Sequence, residues 1–259
     1  DLKEQITGMD KFVAALQAFA VPIGLLERMF GLTKLTPDDL MTVIFTSGST
    51  GEPKGVMLSQ QNIGSNIESA KLMFHIKDSD VFLGVLPFFH SFGYTIMLWL
   101  PSTTGAKSVY HFNPLDARTV GKLCEKHEVS ILSATPTFLK GYLKRCSAEQ
   151  MKSLDLAIVG AEKLPLRLSE AFHEKFGVWP TEGFGTTEMS PLGAANVPAH
   201  RAVGEGQVGS KSGTVGRAAP NVVAKIVNLD TGEDVGTNTS GLMLMKGPNV
   251  MVGYLNQPE

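Results

Sequence analysis

Cysteine is scarce, with only Cys124 and Cys146 in 259 residues. They form no Cys-x-x-Cys pair and no spaced framework, which excludes a disulfide-stapled secreted scaffold and fits a reducing, cytoplasmic setting. Cys124 and His127 stand three apart on an expected helix, but two ligands do not make a zinc site, and core packing accounts for them better. An excess of one charge is also lacking. The 23 basic and 25 acidic residues leave a formal net charge of −2, and no Lys/Arg run supplies a nucleic-acid footprint. Nor is any apolar run long enough to cross a bilayer: the most apolar early stretch, Phe12 to Leu26, is interrupted by Gln17 and Pro22. It continues through Met29, Phe30 and Leu32 as an amphipathic helical lead-in over residues 1–40. The Lys/Arg-rich face of an interfacial helix is missing, so packing against protein is expected there rather than against a membrane. The polar start, Asp1-Leu2-Lys3-Glu4, does not read as a signal peptide.

What is present is apolar material for a substantial core, 43% of the residues, enough for one large domain or two smaller ones. From Met41 to about Gly185, short apolar runs alternate with amphipathic stretches. Strands are expected at Val43–Phe45, Val81–Leu86, Lys107–Tyr110, Val129–Ser133 and Leu156–Val159. Between them, Ser59 caps a helix with Ile63, Ile67, Ala70 and Phe74 at helical spacing. Asp116 opens another with Val120, Leu123 and His127 on one face, and Leu168, Ala171, Phe172 and Phe176 mark a third. This alternation predicts an α/β fold: a mostly parallel sheet flanked by helices, over residues 41–213. Residues 196–221, rich in Gly, Ala, Ser and Pro, read as a mobile loop. Beyond it, Val222–Val227 and Leu242–Met245, with a turn at Asp230-Thr231-Gly232, begin a small β-rich subdomain over 214–259.

Four segments carry candidate chemistry. In the first, Val43–Phe45 runs into Thr46, Ser47, Gly48, Ser49, Thr50 and Gly51, followed by Lys54 between Pro53 and Gly55. Such a loop offers backbone N–H groups, hydroxyls and one ammonium to a polyphosphate. Its order is not that of Walker A, and a surface turn has the same composition. In the second, Leu86-Pro87-Phe88-Phe89-His90-Ser91-Phe92-Gly93, His90 taken alone is equally a structural histidine. The third, Ile158 to Pro165 with Gly160, Ala161 and Glu162, is a strand end opening into a loop, where parallel sheets bind ligands. The fourth is Glu182-Gly183-Phe184-Gly185-Thr186-Thr187-Glu188, which as bare residues is a glycine turn with a solvated carboxylate.

In this order, and with the segment from Ser240-Gly241-Leu242 to Gly253-Tyr254, these stretches resemble the adenylate-forming superfamily of acyl-CoA synthetases, luciferases and peptide-synthetase adenylation domains over residues 41–259. The resemblance implies an acyl-adenylate made from ATP and a carboxylate, with transfer to a thiol and release of AMP. It places Thr46, Ser47, Ser49, Thr50 and Lys54 on the β- and γ-phosphates, and Gly160, Ala161 and Glu162 beside the adenine and acyl groups. It further places Phe184 on adenine, Thr187 at the α-phosphate and Glu188 on Mg²⁺, while Phe89, His90, Phe92 and Gly93 line the substrate channel. Leu242 departs from the family, which has Glu there.

No acidic residue stands between Phe88 and Pro101 to meet an α-amino group, so the apolar lining suits an acyl chain, although a buried helix would look the same. Tyr110–Ala117 and Ala134–Leu139 resemble the synthetase half of bacterial bifunctional 2-acylglycerophosphoethanolamine acyltransferase/acyl-carrier-protein synthetases. That kinship implies a long-chain fatty acid, acyl carrier protein or CoA as thiol acceptor, and association of the whole protein with the inner face of the membrane. The ribose-binding Asp and the small C-terminal lid domain of the family would fall past Glu259, and the chain reads as an excised piece with weak nucleotide binding and poor turnover. A ligase for an aryl or short-chain acid, a phosphate-loop NTPase and a non-catalytic module are the competing readings.

Overall fold

The computed structural model describes residues 2–46, 52–202 and 210–257. The chain forms two units, residues 1–39 and 40–259. In the first, α1 (Leu2–Gln5) precedes α2 (Gly8–Ala20) and α3 (Ile23–Met29). Thr7 caps α2, its N–H donating to the Asp10 carboxylate at 2.8 Å while its hydroxyl accepts the Asp10 N–H at 3.3 Å. Pro22 has no N–H to donate and forces Val21 into extended backbone, so the apolar stretch becomes two helices. The stripe Met9, Phe12, Leu16 and Phe19 is exposed.

The second unit opens with β1 (Leu40–Thr46) and β2 (Lys54–Ser59), an antiparallel hairpin with Thr46 opposite Lys54. Ser59 then caps α4 (Gln60–Phe74) through a reciprocal pair of bonds with Asn62, and Ile63, Ile67, Ala70 and Phe74 are buried as their spacing predicts. β3 (Val81–Gly84) leads to a π-helical stretch, Phe92–Trp99, and α5 (Leu100–Thr104). Next come β4 (Lys107–Tyr110), α6 (Ala117–His127), β5 (Ile131–Ala134), α7 (Pro136–Arg145), β6 (Leu156–Val159) and α8 (Leu166–Phe176). The chain ends in strands: β7 (Pro180–Gly185), β8 (Leu192–Ala195), β9 (Arg217–Ala218), β10 (Val223–Val227), β11 (Leu242–Lys246) and β12 (Gly253–Tyr254).

The main sheet has the order β4-β3-β5-β6-β7-β8-β9, parallel through β7 and antiparallel beyond it. Its central strands β3, β5 and β6 are buried on both faces, as a parallel sheet with helices on each side requires. Along β3, Phe82 packs in the cluster of Ile67, Phe74 and Met97, while Leu83 belongs to the cluster of Val120, Cys124 and Phe172. Burial pushes the Cys124 and Cys146 thiols up to about 12 and about 11, so both behave as inert packing residues at neutral pH. His127 is exposed, and the buried face of α6 is Ala117, Val120, Gly121 and Cys124 rather than the expected face through His127.

One further expectation is corrected. The strand leading into Ser47 is not part of the parallel sheet: β1 pairs with β2, and β2 with β12, in a separate three-stranded antiparallel sheet. Residues 214–259 supply β9 to the main sheet, β12 to this second one, and the β10–β11 hairpin. The stretch read as a mobile loop contains Arg201, which is 2% exposed. Its Nη1 and Nη2 donate to the two Asp80 oxygens at 2.8 Å each, and its Nε to Asp155 Oδ2 at 2.6 Å. Asp80 and Asp155 stand just ahead of β3 and β6, so one guanidinium clamps the amino-terminal edge of the sheet. Burial pushes the Asp80 carboxyl up, but hydrogen bonds from Arg201, the Lys77 N–H and Ser130 outweigh it and hold the group below the ordinary carboxylate range.

Candidate active site

At the opposite edge of the sheet, beyond the carboxyl ends of β6 and β7, lies a pocket of about 260 Å³. That edge is where parallel sheets offer strand-end loops to a ligand. The loop after β6 contributes Gly160 and Ala161, β7 and its continuation contribute Gly183, Phe184, Gly185, Thr186 and Thr187, and the loop after β3 contributes His90, Ser91 and Phe92. Phe74, Ile96 and Leu192 complete an apolar wall. Gly185 lets the backbones close: a Cβ there would stand 2.0 Å from the Pro191 carbonyl oxygen. Ala161 holds a left-handed φ of 66°, a conformation that costs a non-glycine residue about 1 kcal/mol and turns the chain away after the pocket wall.

The sequence-predicted residues separate into three groups. Gly160, Ala161, Gly183 to Thr187, His90 and Phe92 meet around the pocket. His90 sits at the rim, where its Nδ1 accepts the Phe92 N–H at 3.2 Å; crowding by the protein lowers its pKa below the ordinary 6.5, favouring a neutral ring. Thr187 is buried, with its hydroxyl 3.4 Å from that of Ser91. Glu162, Phe89 and Gly93 take no part in the pocket wall. The Glu162 carboxylate accepts the Thr137 hydroxyl at 2.8 Å, Phe89 is 82% exposed, and Gly93 is buried where a Cβ would stand 2.1 Å from the Pro87 oxygen. Ser47, Gly48, Ser49, Thr50 and Gly51 lie outside the described residues, flanked by the Thr46–Lys54 pair.

Lys54 and Glu188 form the third group. Both are half-buried, and both reach Tyr254. The Tyr254 hydroxyl donates to Glu188 Oε1 at 2.9 Å, and the Lys54 ammonium lies 5.0 Å from the centre of the Tyr254 ring. Glu188 fits Mg²⁺ as a single hard oxygen ligand. No cluster of three ligand side chains occurs among the described residues.

Sequence reading missed the frame behind these groups. Asn66 Nδ2 donates to the Met189 and Leu192 carbonyls at 3.2 and 2.9 Å, and its Oδ1 accepts the Leu192 N–H at 3.2 Å. Asn249 Nδ2 donates to the same two carbonyls at 2.9 Å each, and Asn62 Nδ2 holds those of Pro248 and Val250 at 2.8 and 2.7 Å. The available signal was a pair of asparagines four apart on the apolar face of α4. Replacing Asn66 by Leu keeps the branched shape but strands the buried Leu192 N–H, and is expected to cost about 2–3 kcal/mol in urea unfolding.

Comparison with known proteins gives one direction. The AMP-binding enzyme model matches residues 12–255. The chain is 32% identical over 239 residues to the long-chain-fatty-acid–CoA ligase of Bacillus subtilis, covering 90% of this chain and 41% of the relative. It is 31% identical over 243 residues to 4-coumarate–CoA ligase of Pinus taeda, covering 90% and 44%. The crystal structure of ATP-bound MatB from Rhodopseudomonas palustris superposes with a TM-score of 0.76 at 28% identity, covering 86% of this chain and 42% of that one. The chain therefore spans about two-fifths of the length of these relatives. With a match across most of its residues, it belongs to the AMP-binding enzyme family.

Proposed function

We propose that this chain is the nucleotide-binding part of an enzyme that activates a fatty acid with ATP and passes the acyl group to a thiol. The observation that carries the reading is the strand-end pocket formed by Gly160–Ala161 and Gly183–Thr187, with Lys54 and Glu188 meeting at Tyr254 beside it. In the first step a carboxylate oxygen attacks the α-phosphorus, forming a P–O bond as the bond to the pyrophosphate oxygen breaks. The acid is already ionised, so no proton has to move. Gly160, Ala161 and Phe184 wall the nucleoside, the Thr187 hydroxyl donates to an α-phosphate oxygen, and the Lys54 ammonium offsets charge on the leaving pyrophosphate. Mg²⁺, when bound through Glu188, adds to that neutralisation. In the second step a thiolate attacks the acyl carbonyl and AMP leaves.

The apolar wall of Phe74, Phe92, Ile96 and Leu192 favours an alkyl chain over a charged acid. Resemblance to the acyl-carrier-protein synthetase half of the bifunctional enzymes supports acyl carrier protein as acceptor, with CoA second. It extends to an acyltransferase domain in the larger protein and a place at the inner face of the membrane. Among the described residues no helix is long and apolar enough to cross a membrane. Residues 1–259 alone are expected to bind nucleotide weakly and turn over poorly, and a full adenylation rate from them would refute that.

The test is exchange of labelled pyrophosphate into ATP by the full-length protein. Palmitate-dependent exchange is the expected result. Exchange with 4-coumarate alone would move the substrate to the aryl class, and ADP release without exchange would establish an NTPase instead.

A further inference from the structure

We propose that Tyr254 is a positioning residue that couples the two ends of the polyphosphate site, its hydroxyl fixing the Glu188 carboxylate and its ring fixing the Lys54 ammonium. The inference rests on the adenylation reading and adds to it a residue outside the pocket lining.

Lys54 opens β2 and Tyr254 closes β12, and the two strands pair with Tyr254 opposite Val56. Lys54 lies two residues from Val56 on the same strand face, so its side chain is the diagonal cross-strand neighbour of the tyrosine. This register puts the ammonium 5.0 Å from the ring centre. The Tyr254 O–H is directed to Glu188 Oε1 at 2.9 Å, a bond to an ionised acceptor that is stronger than its neutral counterpart.

Both ends are held from behind. The Met251 N–H donates to the Glu188 carbonyl at 2.8 Å, and the Leu255 N–H donates to the Gly55 carbonyl at 2.7 Å. The segment that carries Tyr254 is thus fastened to the backbone of Glu188 on one side and beside Lys54 on the other. A tyrosine used only for packing needs no carboxylate at its hydroxyl. Here two of its contacts reach the groups of opposite charge that a metal–polyphosphate requires at a fixed separation.

Tyr254→Phe keeps the ring and the strand pairing while removing the O–H. Equilibrium dissociation constants are measured for ATP with Mg²⁺, for ATP with Mn²⁺, and for ATP in EDTA, using the full-length protein. The phenylalanine variant is expected to bind the metal–ATP complexes about tenfold more weakly and metal-free ATP unchanged, the size of effect expected for one bond to a charged group. Tyr254→Leu, which also removes the ring under Lys54, is expected to weaken both forms. A purely structural tyrosine would lower the melting temperature without altering the ratio of metal-bound to metal-free affinity. An unchanged ratio in Tyr254→Phe overturns the proposal, and that variant decides the matter if Tyr254→Leu does not fold. An unaltered protein that binds no ATP in any form overturns the adenylation reading and this one together. Binding with an unchanged ratio overturns this one alone.

Discussion

Replacing Arg201 by Met is expected to destabilise the protein by about 3–5 kcal/mol at pH 7, because it leaves the buried Asp80 carboxylate without its cation. Urea unfolding at several pH values checks this. The Asp80 carboxyl titrates below its unfolded value of about 3.9 in the native protein, so its stabilising contribution is complete above that value. It fades as pH falls through the lower, folded value. In the variant the signs reverse. Burial without a guanidinium raises the Asp80 pKa, and the penalty is relieved as acid neutralises the group. The gap between the two proteins should therefore be widest near neutral pH and narrow toward pH 4. An equal gap at both would mean that lost packing, not the unpaired charge, sets the cost. Replacing Asp80 by Leu together with Arg201 by Met should recover much of the loss, since an apolar substitute for a buried pair is often nearly neutral.

The second large effect is on chemistry. Glu188→Gln and Lys54→Ala are each expected to lower palmitate-dependent pyrophosphate exchange by about 10²–10³-fold, the usual consequence of removing one group that stabilises developing charge. The glutamine keeps the size and an oxygen able to accept the Tyr254 O–H, so its effect isolates the charge. Lys54→Ala should also raise KM for ATP and for pyrophosphate. Both side chains are half-buried, and thermal stability should move by no more than about 0.5 kcal/mol. The double variant should lose less than the product of the two factors, because both groups are held through one tyrosine. Full exchange in Glu188→Gln would remove the metal role assigned to that carboxylate.

Legibility in the sequence followed the kind of force involved. Strands Lys107–Tyr110 and Leu156–Val159 coincide with their apolar runs, and Ser59 and Asp116 cap the helices they were expected to open. Local side-chain chemistry decides those cases. Among the missed strands, Lys54–Ser59, Pro180–Gly185 and Leu192–Ala195 carry lysine, glycine or alanine where an isolated strand wants β-branched residues. They are strands because neighbouring backbones pair with them, and pairing is not written in a single segment. Arg201 was hidden in the same way. A stretch rich in glycine, alanine, serine and proline reads as loose chain until two carboxylates from distant strand ends close on its one guanidinium. At the site, the motifs around Gly160, Phe184 and Thr187 converge on the pocket, whereas Glu162 turns toward α7 and the asparagine frame went unseen.

The second sheet has a consequence for the order in which the molecule is made. β2 and the start of α4 leave the ribosome well before their partners: Asn62 bonds to the Pro248 carbonyl 186 residues further on. β12, which flanks Lys54 and supplies Tyr254, is later still. At roughly 5–20 residues per second, the β1–β2 arm waits about 10–40 s for the strand that completes it. The parallel sheet from β3 to β7 can gather its helices during that interval, as its pairings are nearer neighbours in the chain. Nascent chains arrested before residue 248 should therefore show a protease-resistant central sheet while the bond after Lys54 is still cut by trypsin, and the arm should gain protection only when β12 has emerged.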